Sequence, residues 1–188
     1  VIYADPPWAY GDENPFTAAS NAFGTMELDE LVALWKERLD LENHLTRDAV
    51  LFLWATAPNR PMAHKFIEAV DFEYKTELVW LKPRTVFGAY SHGAHENLLI
   101  AVRGSLTPVE KGKPRSSYFA ADPWHPHLHS AKPDRAYELI ETMYPELSKL
   151  ELFARRRRAG WESWGNELVR CEQTDGLIAA DDGESNAA

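Results

Sequence analysis

The run Ala49-Val50-Leu51-Phe52-Leu53-Trp54-Ala55 carries no charged side chain and constrains the fold more than any other stretch. It is far too short to cross a bilayer as a helix. It also lacks the alternation of a strand with one wet face, so Ala49 to Thr56 reads as a central strand buried on both sides. A sheet with two dry faces needs two covers, and helical patterns supply them. Leu28, Leu31, Val32, Trp35 and Leu39 recur at helical spacing over Glu27 to Asp40; Met62, Phe66, Ile67 and Val70 do so over Pro58 to Val70. Further strands are predicted at Val1 to Ala4, at Phe72 to Leu81 ending before Lys82-Pro83, at Glu96 to Val102 stopped by Gly104, and at Lys149 to Phe153. A last helix starts with Pro133 as its first residue and stops at Pro145. Strands alternating with helices predict an α/β sheet covered on both faces. Ser105 to His129 is polar and dotted with prolines, and reads as a recognition loop.

A chain of 188 residues with 45% hydrophobic content fits one domain with an ordinary core. That domain is expected over residues 1–168. Five acids follow Cys171 among Gly, Ala and Ser, so 169–188 reads as an acidic, disordered tail. The single cysteine excludes an internal disulfide and any CxxC zinc or redox motif, which suits the cytoplasm. No membrane segment is expected. The net charge of −9 argues against broad attraction to polyanions, although Arg155 to Arg158 form a local basic run. The chain opens inside a strand and without Met, which suggests that a segment upstream is missing.

Asp5-Pro6-Pro7-Trp8 closes the first strand. Both prolines lack an N–H and restrict the residue before them, so the turn is expected to present carbonyl oxygens that no ladder uses. The exocyclic nitrogen of adenine is a poor nucleophile because its lone pair is delocalised into the ring. The Asp5 carboxylate and a proline carbonyl can together hold both N6 hydrogens and draw that nitrogen towards tetrahedral geometry, freeing the lone pair to attack a methyl donor. Trp8 would then offer a stacking face for the base. The plain alternative is a Pro-Pro turn with Trp8 in the core. His125, His127 and His129 suggest a metal site, but Pro126 interrupts their alternation and no acidic cluster is near, so no metal is expected.

Four more motifs accompany the tetrapeptide. They are Phe23-Gly24-Thr25-Met26, His95-Glu96 before a strand, His129-Ser130-Ala131-Lys132-Pro133, and Glu151-Leu152-Phe153-Ala154-Arg155 followed by Trp164-Gly165-Asn166-Glu167. In this order they resemble the MT-A family of adenine-N6 methyltransferases, which includes the catalytic subunit of the eukaryotic mRNA enzyme and bacterial and phage relatives. The resemblance implies an S-adenosylmethionine-dependent enzyme with a Rossmann-like, three-layer α/β/α fold of permuted motif order. Asp5, Pro6, Pro7 and Trp8 match the catalytic motif, with Asp5 also near the methionine end of the cofactor. Lys132 matches a lysine of the cleft, Phe153 and Arg155 the end of the cofactor strand, and Asn166 and Glu167 a pair that holds ribose or adenine. No GxGxxG follows Phe153, so the usual dinucleotide fingerprint is absent. The implied substrate is DNA or RNA with an unstacked adenine, and the implied assembly is a homo- or heterodimer. A catalytically silent, nucleic-acid-binding partner subunit is the competing reading. The loop from Tyr10 to Gly24 reads either as a lid over the adenine or as a plain surface loop.

Overall fold

The computed structural model describes residues 1–9, 24–86, 90–109, 116–123 and 131–168. The expected lid up to Phe23, the three histidines and the acidic tail lie outside them. Seven strands form one sheet: β1 (Ile2–Ala4), β2 (Ala49–Ala55), β3 (Glu73–Val86), β4 (Gly93–Arg103), β5 (Tyr118–Ala120), β6 (Leu150–Leu152) and β7 (Glu162–Trp164). Their spatial order is β5-β3-β4-β2-β1-β6-β7. β1 runs parallel to β2 and β6, β6 to β7, and β3 to β5, while β4 is antiparallel to both β2 and β3. Every strand except β4 therefore points its carboxyl end to the same edge.

Each face of the sheet has its own core, as the apolar β2 requires. Ile2, Ala4, Leu51, Leu53 and Ala55 pack under Leu31 of α1 (Leu28–Ala33), Trp35 just beyond it, and Phe66 and Ile67 of α3 (Arg60–Ala69). Tyr3, Val50, Phe52 and Trp54 pack on the other face under Ala136, Tyr137, Ile140 and Met143 of α4 (Asp134–Met143). This is the three-layer α/β/α arrangement expected of a Rossmann-like methyltransferase. The short α2 (Leu41–His44) follows α1 after a widened turn over Leu34–Arg38, in which the Leu39 N–H reaches back to the Leu34 carbonyl at 2.9 Å. The expected helix from Glu27 to Asp40 is thus two helical forms in series.

Some boundaries differ from expectation, and two short strands are new. β3 passes through Pro83 to Val86, because its ladder with β4 shifts register between Leu81 and Val86 and leaves no N–H to be supplied at the proline. β5 lies inside the predicted recognition loop and pairs Val79–Leu81 with Tyr118–Ala120; three largely exposed residues give no periodic signal. β7 is equally short and was missed for the same reason. Pro133 is the N-cap rather than the first helical residue, with φ −73° and ψ 146°.

Candidate active site

β1 and β6 are neighbours, yet the helices that follow β1 cover one face and α4, which precedes β6, covers the other. In open α/β sheets such a change of side marks where ligands bind, in the crevice beyond the carboxyl ends of the two strands. Ala4 pairs with Leu152 in register, so Asp5 and Phe153 emerge side by side into this crevice.

The turn that carries Asp5 is braced on three sides. Trp8 N–H donates to the Pro6 carbonyl (2.9 Å), Met26 N–H to the Pro7 carbonyl (2.8 Å), and Ala9 N–H to the Met26 carbonyl (3.1 Å). The expectation of unused proline carbonyls is corrected accordingly: each already accepts one N–H and retains only its second lone pair. Trp8 requires a larger correction. Its side chain is buried, its indole N–H donates to the Trp54 carbonyl at 2.8 Å, and its ring meets Phe66 edge to face at 6.2 Å. Trp8 thus anchors the turn in the core, the plain alternative, because an indole with both a buried acceptor and an aromatic neighbour gains more from burial than from facing water. No stacking face for a base is left on it.

Asp5 itself stays partly open, with 26% of its side chain exposed. Its Oδ2 accepts from Lys132 Nζ at 2.6 Å. Lys132 sits just before α4, on the covering layer opposite α1, and its ammonium also lies 3.3 Å from Glu96 Oε2 and 5.5 Å from the centre of the Trp54 ring. Glu96, from β4, has Lys82 of β3 as a further partner. Four charges alternate in sign across the crevice: Asp5, Lys132, Glu96, Lys82. Burial would raise the proton affinity of Glu96, but the ammonium groups of Lys132 and Lys82 outweigh it and leave the carboxyl below its ordinary range. For Asp5 the balance reverses, since desolvation together with repulsion from Glu96 exceeds the pull of Lys132 and holds it above the ordinary range. Burial acts to lower Lys132, yet Asp5 and Glu96 overcome this and raise it, so the ammonium is held charged. Glu96 and Lys82 had no role assigned from sequence; an acid on an otherwise apolar strand end was the available signal.

At the far side of the crevice Phe153 adopts φ +61°, which turns the chain sharply at the end of β6, and its ring packs against Trp164 at 5.8 Å. Ala154 N–H then donates to the Trp164 carbonyl at 2.9 Å. A Cβ on Gly165 would lie 2.3 Å from the Ala154 carbonyl oxygen, so only glycine permits this approach. The close contact sets Glu167 beside Arg155, whose Nε donates to Glu167 Oε2 at 2.6 Å. Asn166 is exposed next to it. The structure therefore gathers Asp5, Lys132, Phe153, Arg155, Asn166 and Glu167 around one edge of the sheet. A carboxylate retains several acceptor sites, so Glu167 can still receive a diol, and Asp5 suits a cation. Two further arginines of the run point elsewhere: Arg156 pairs with Asp134, and Arg158 with Asp134 at 3.1 Å and Glu141 at 2.8 Å, all on α4. Among the described residues no cluster of His, Cys, Asp or Glu could hold a metal ion, and no helix is long and apolar enough to cross a membrane.

The sequence is similar to those of known proteins. The chain is 32% identical over 187 residues to the type II methyltransferase M.MunI of a Mycoplasma species, covering 89% of this chain and 77% of that one. It is 29% identical to a probable N(6)-adenosine-methyltransferase MT-A70-like protein of rice, and 28% identical to the human N(6)-adenosine-methyltransferase catalytic subunit METTL3. Each match covers 89% of this chain but only 23% and 28% of those longer proteins. MT-A70 is also the family matched over residues 1–167, from the first strand through Glu167, and the chain belongs to that family.

Proposed function

We propose that the protein transfers a methyl group from S-adenosylmethionine to the exocyclic N6 of an adenine in nucleic acid. The observation that carries this reading is the Asp5–Lys132 pair, 2.6 Å long and set at the crevice between β1 and β6 with Asp5 still partly exposed. When bound, the cofactor supplies an electrophilic methyl on a sulfonium. The fit of the site to it rests on charge and acceptor placement: Asp5 offers a carboxylate to a cation, and Glu167 and Asn166 offer acceptors to a ribose diol. Phe153 and Arg155 shape that end of the site.

For the base, Asp5 accepts one N6 hydrogen, and the remaining lone pair on a proline carbonyl accepts the other. Lys132 fixes the carboxylate by a charge-assisted bond, so little reorganisation is needed as the nitrogen becomes tetrahedral. The elevated proton affinity of Asp5 suits it to share the proton that N6 must lose once its bond to carbon forms. Trp8 contributes by holding the turn rather than by touching the base. The adenine has to leave any duplex stack to reach Asp5, which implies a single strand or a flipped base. A silent partner subunit, the competing reading, has no need of a braced Asp5 paired to a buried lysine.

The test is incubation with labelled cofactor and matched DNA and RNA oligonucleotides, followed by nucleoside mass spectrometry. N6-methyladenine is expected from one of them, and Asp5→Ala should abolish it while leaving the thermal transition in place. Cofactor binding without any methylated nucleoside, or full activity in Asp5→Ala, would refute the proposal.

A further inference from the structure

Beneath the crevice lies a second acid that the mechanism does not use. Glu151 is buried on β6, on the same sheet face as Tyr3, its register partner. Its Oε1 accepts from the Tyr137 hydroxyl at 2.7 Å, and its Oε2 is buried without a hydrogen-bond partner among the described residues. Ser163, its register partner on β7, likewise has a buried hydroxyl oxygen without one. From α4, Tyr137 presents its hydroxyl to Glu151 and packs its ring on Tyr3 at 4.8 Å. From the loop after β6, the guanidinium groups of Arg156 and Arg158 lie over the Tyr137 ring, at 5.5 and 4.8 Å from its centre. From β1, Asp5 follows Tyr3 by two residues and lies near enough to repel Glu151. Lys132 stands beyond Asp5.

We propose that Glu151 is a second carboxylate of the cofactor site, holding a proton while no ligand is bound and releasing it when a sulfonium-bearing ligand docks beside Asp5. This inference rests on the cofactor assignment above. A buried carboxyl with one neutral donor and one oxygen unpartnered is favoured as the neutral acid. Burial, against the pull of Tyr137 and the two arginines, pushes Glu151 up to about 7, so the switch falls at neutral pH. A ligand cation near Asp5 stabilises the ionised form of any acid close behind it, and by linkage the ionised form binds the cation more tightly. The proton leaves for the buffer, and the carboxylate stays.

The sign follows directly. Affinity for S-adenosylmethionine rises with pH and levels off above the proton affinity of the free protein, whereas S-adenosylhomocysteine, which lacks the sulfonium charge, shows much less of this. If the ligand lowers Glu151 by about one unit, binding at pH 7 releases roughly 0.4 proton, and affinity increases about five-fold from pH 6 to pH 8. Calorimetric titration of the full chain with each ligand, in buffers of different ionisation enthalpy, measures the proton count independently of turnover. Glu151→Gln should bind both ligands and erase the difference between them. Tyr137→Phe keeps the ring but removes the hydroxyl that favours the carboxylate, and should move the pH of greatest proton release upward. Equal release with the two ligands, a difference that persists in Glu151→Gln, or an unmoved profile in Tyr137→Phe would each overturn the inference. Failure of both ligands to bind removes the cofactor assignment and this inference together.

Discussion

Two glutamates flank Asp5, one from β4 and one from β6, and both are almost wholly buried: Glu96 at 4% and Glu151 at 6% exposure. Burial alone would drive both towards the neutral acid. They end on opposite sides of the ordinary range, because Glu96 meets the ammonium groups of Lys132 and Lys82 while Glu151 meets one hydroxyl, with the nearby guanidinium groups of Arg156 and Arg158 engaged by the acids of α4. The charge of a buried acid here is set by which cations the neighbouring elements deliver. Lysines delivered at the crevice keep one acid ionised, and arginines held by α4 let the other keep its proton.

The contrast breaks most severely on removal of the shared cation. Lys132→Met leaves Asp5 without its charged partner and Glu96 with Lys82 alone, and should cost about 3–5 kcal/mol of stability at pH 7. Urea unfolding should show part of this recovered at pH 5, where both acids can protonate; a loss below about 1 kcal/mol would mean that the pair is energetically idle. Glu151→Gln sharpens the comparison next. The folded protein holds this proton up to about 7 against an ordinary 4.5, so stability present at low pH is lost as pH rises through that window, by about 3 kcal/mol in all. The variant should flatten the slope between those limits, which denaturant midpoints across the range would reveal. Glu96→Gln is the mirror image and the smallest effect, about 1–3 kcal/mol at pH 7, because two ammonium groups lose their carboxylate acceptor. Since folding depresses Glu96, its contribution is present above 4.5 and disappears as pH falls below it, so the variant should lose part of the acid limb of the unfolding profile.

Much of the fold was legible because the decisive signals were long. β2 reads as buried on both faces, and the helices over Pro58 to Val70 and after Pro133 read from spacing. β5 and β7 are three residues each, too short for a period to register. The motifs were legible as motifs, but not the pairings they would make. Asp5 meets Lys132, and Arg155 meets Glu167, across 127 and 12 residues of sequence. Trp8 carries the same motif but points into the core, and nothing in a tetrapeptide says which way an indole turns. The arginine run shows the same limit, because its partners Asp134 and Glu141 are distant in sequence. The distinction between Glu96 and Glu151 depends entirely on contacts made across strands and layers.

The reversed direction of β4 has its own consequence. β3 and β4 form a hairpin whose far end, with Arg84, Thr85 and the stretch from Tyr90 to His95, stands exposed at the edge where Asp5 opens. Its root is clamped by the ladder from Leu78–Leu98 to Leu81–His95 and by the Lys82–Glu96 contact. Closing a longer tip costs little, about 0.6 kcal/mol for each doubling of length. The molecule thus carries a natural grafting point, where segments of differing size can be exchanged beside Asp5 while the sheet beneath keeps its register.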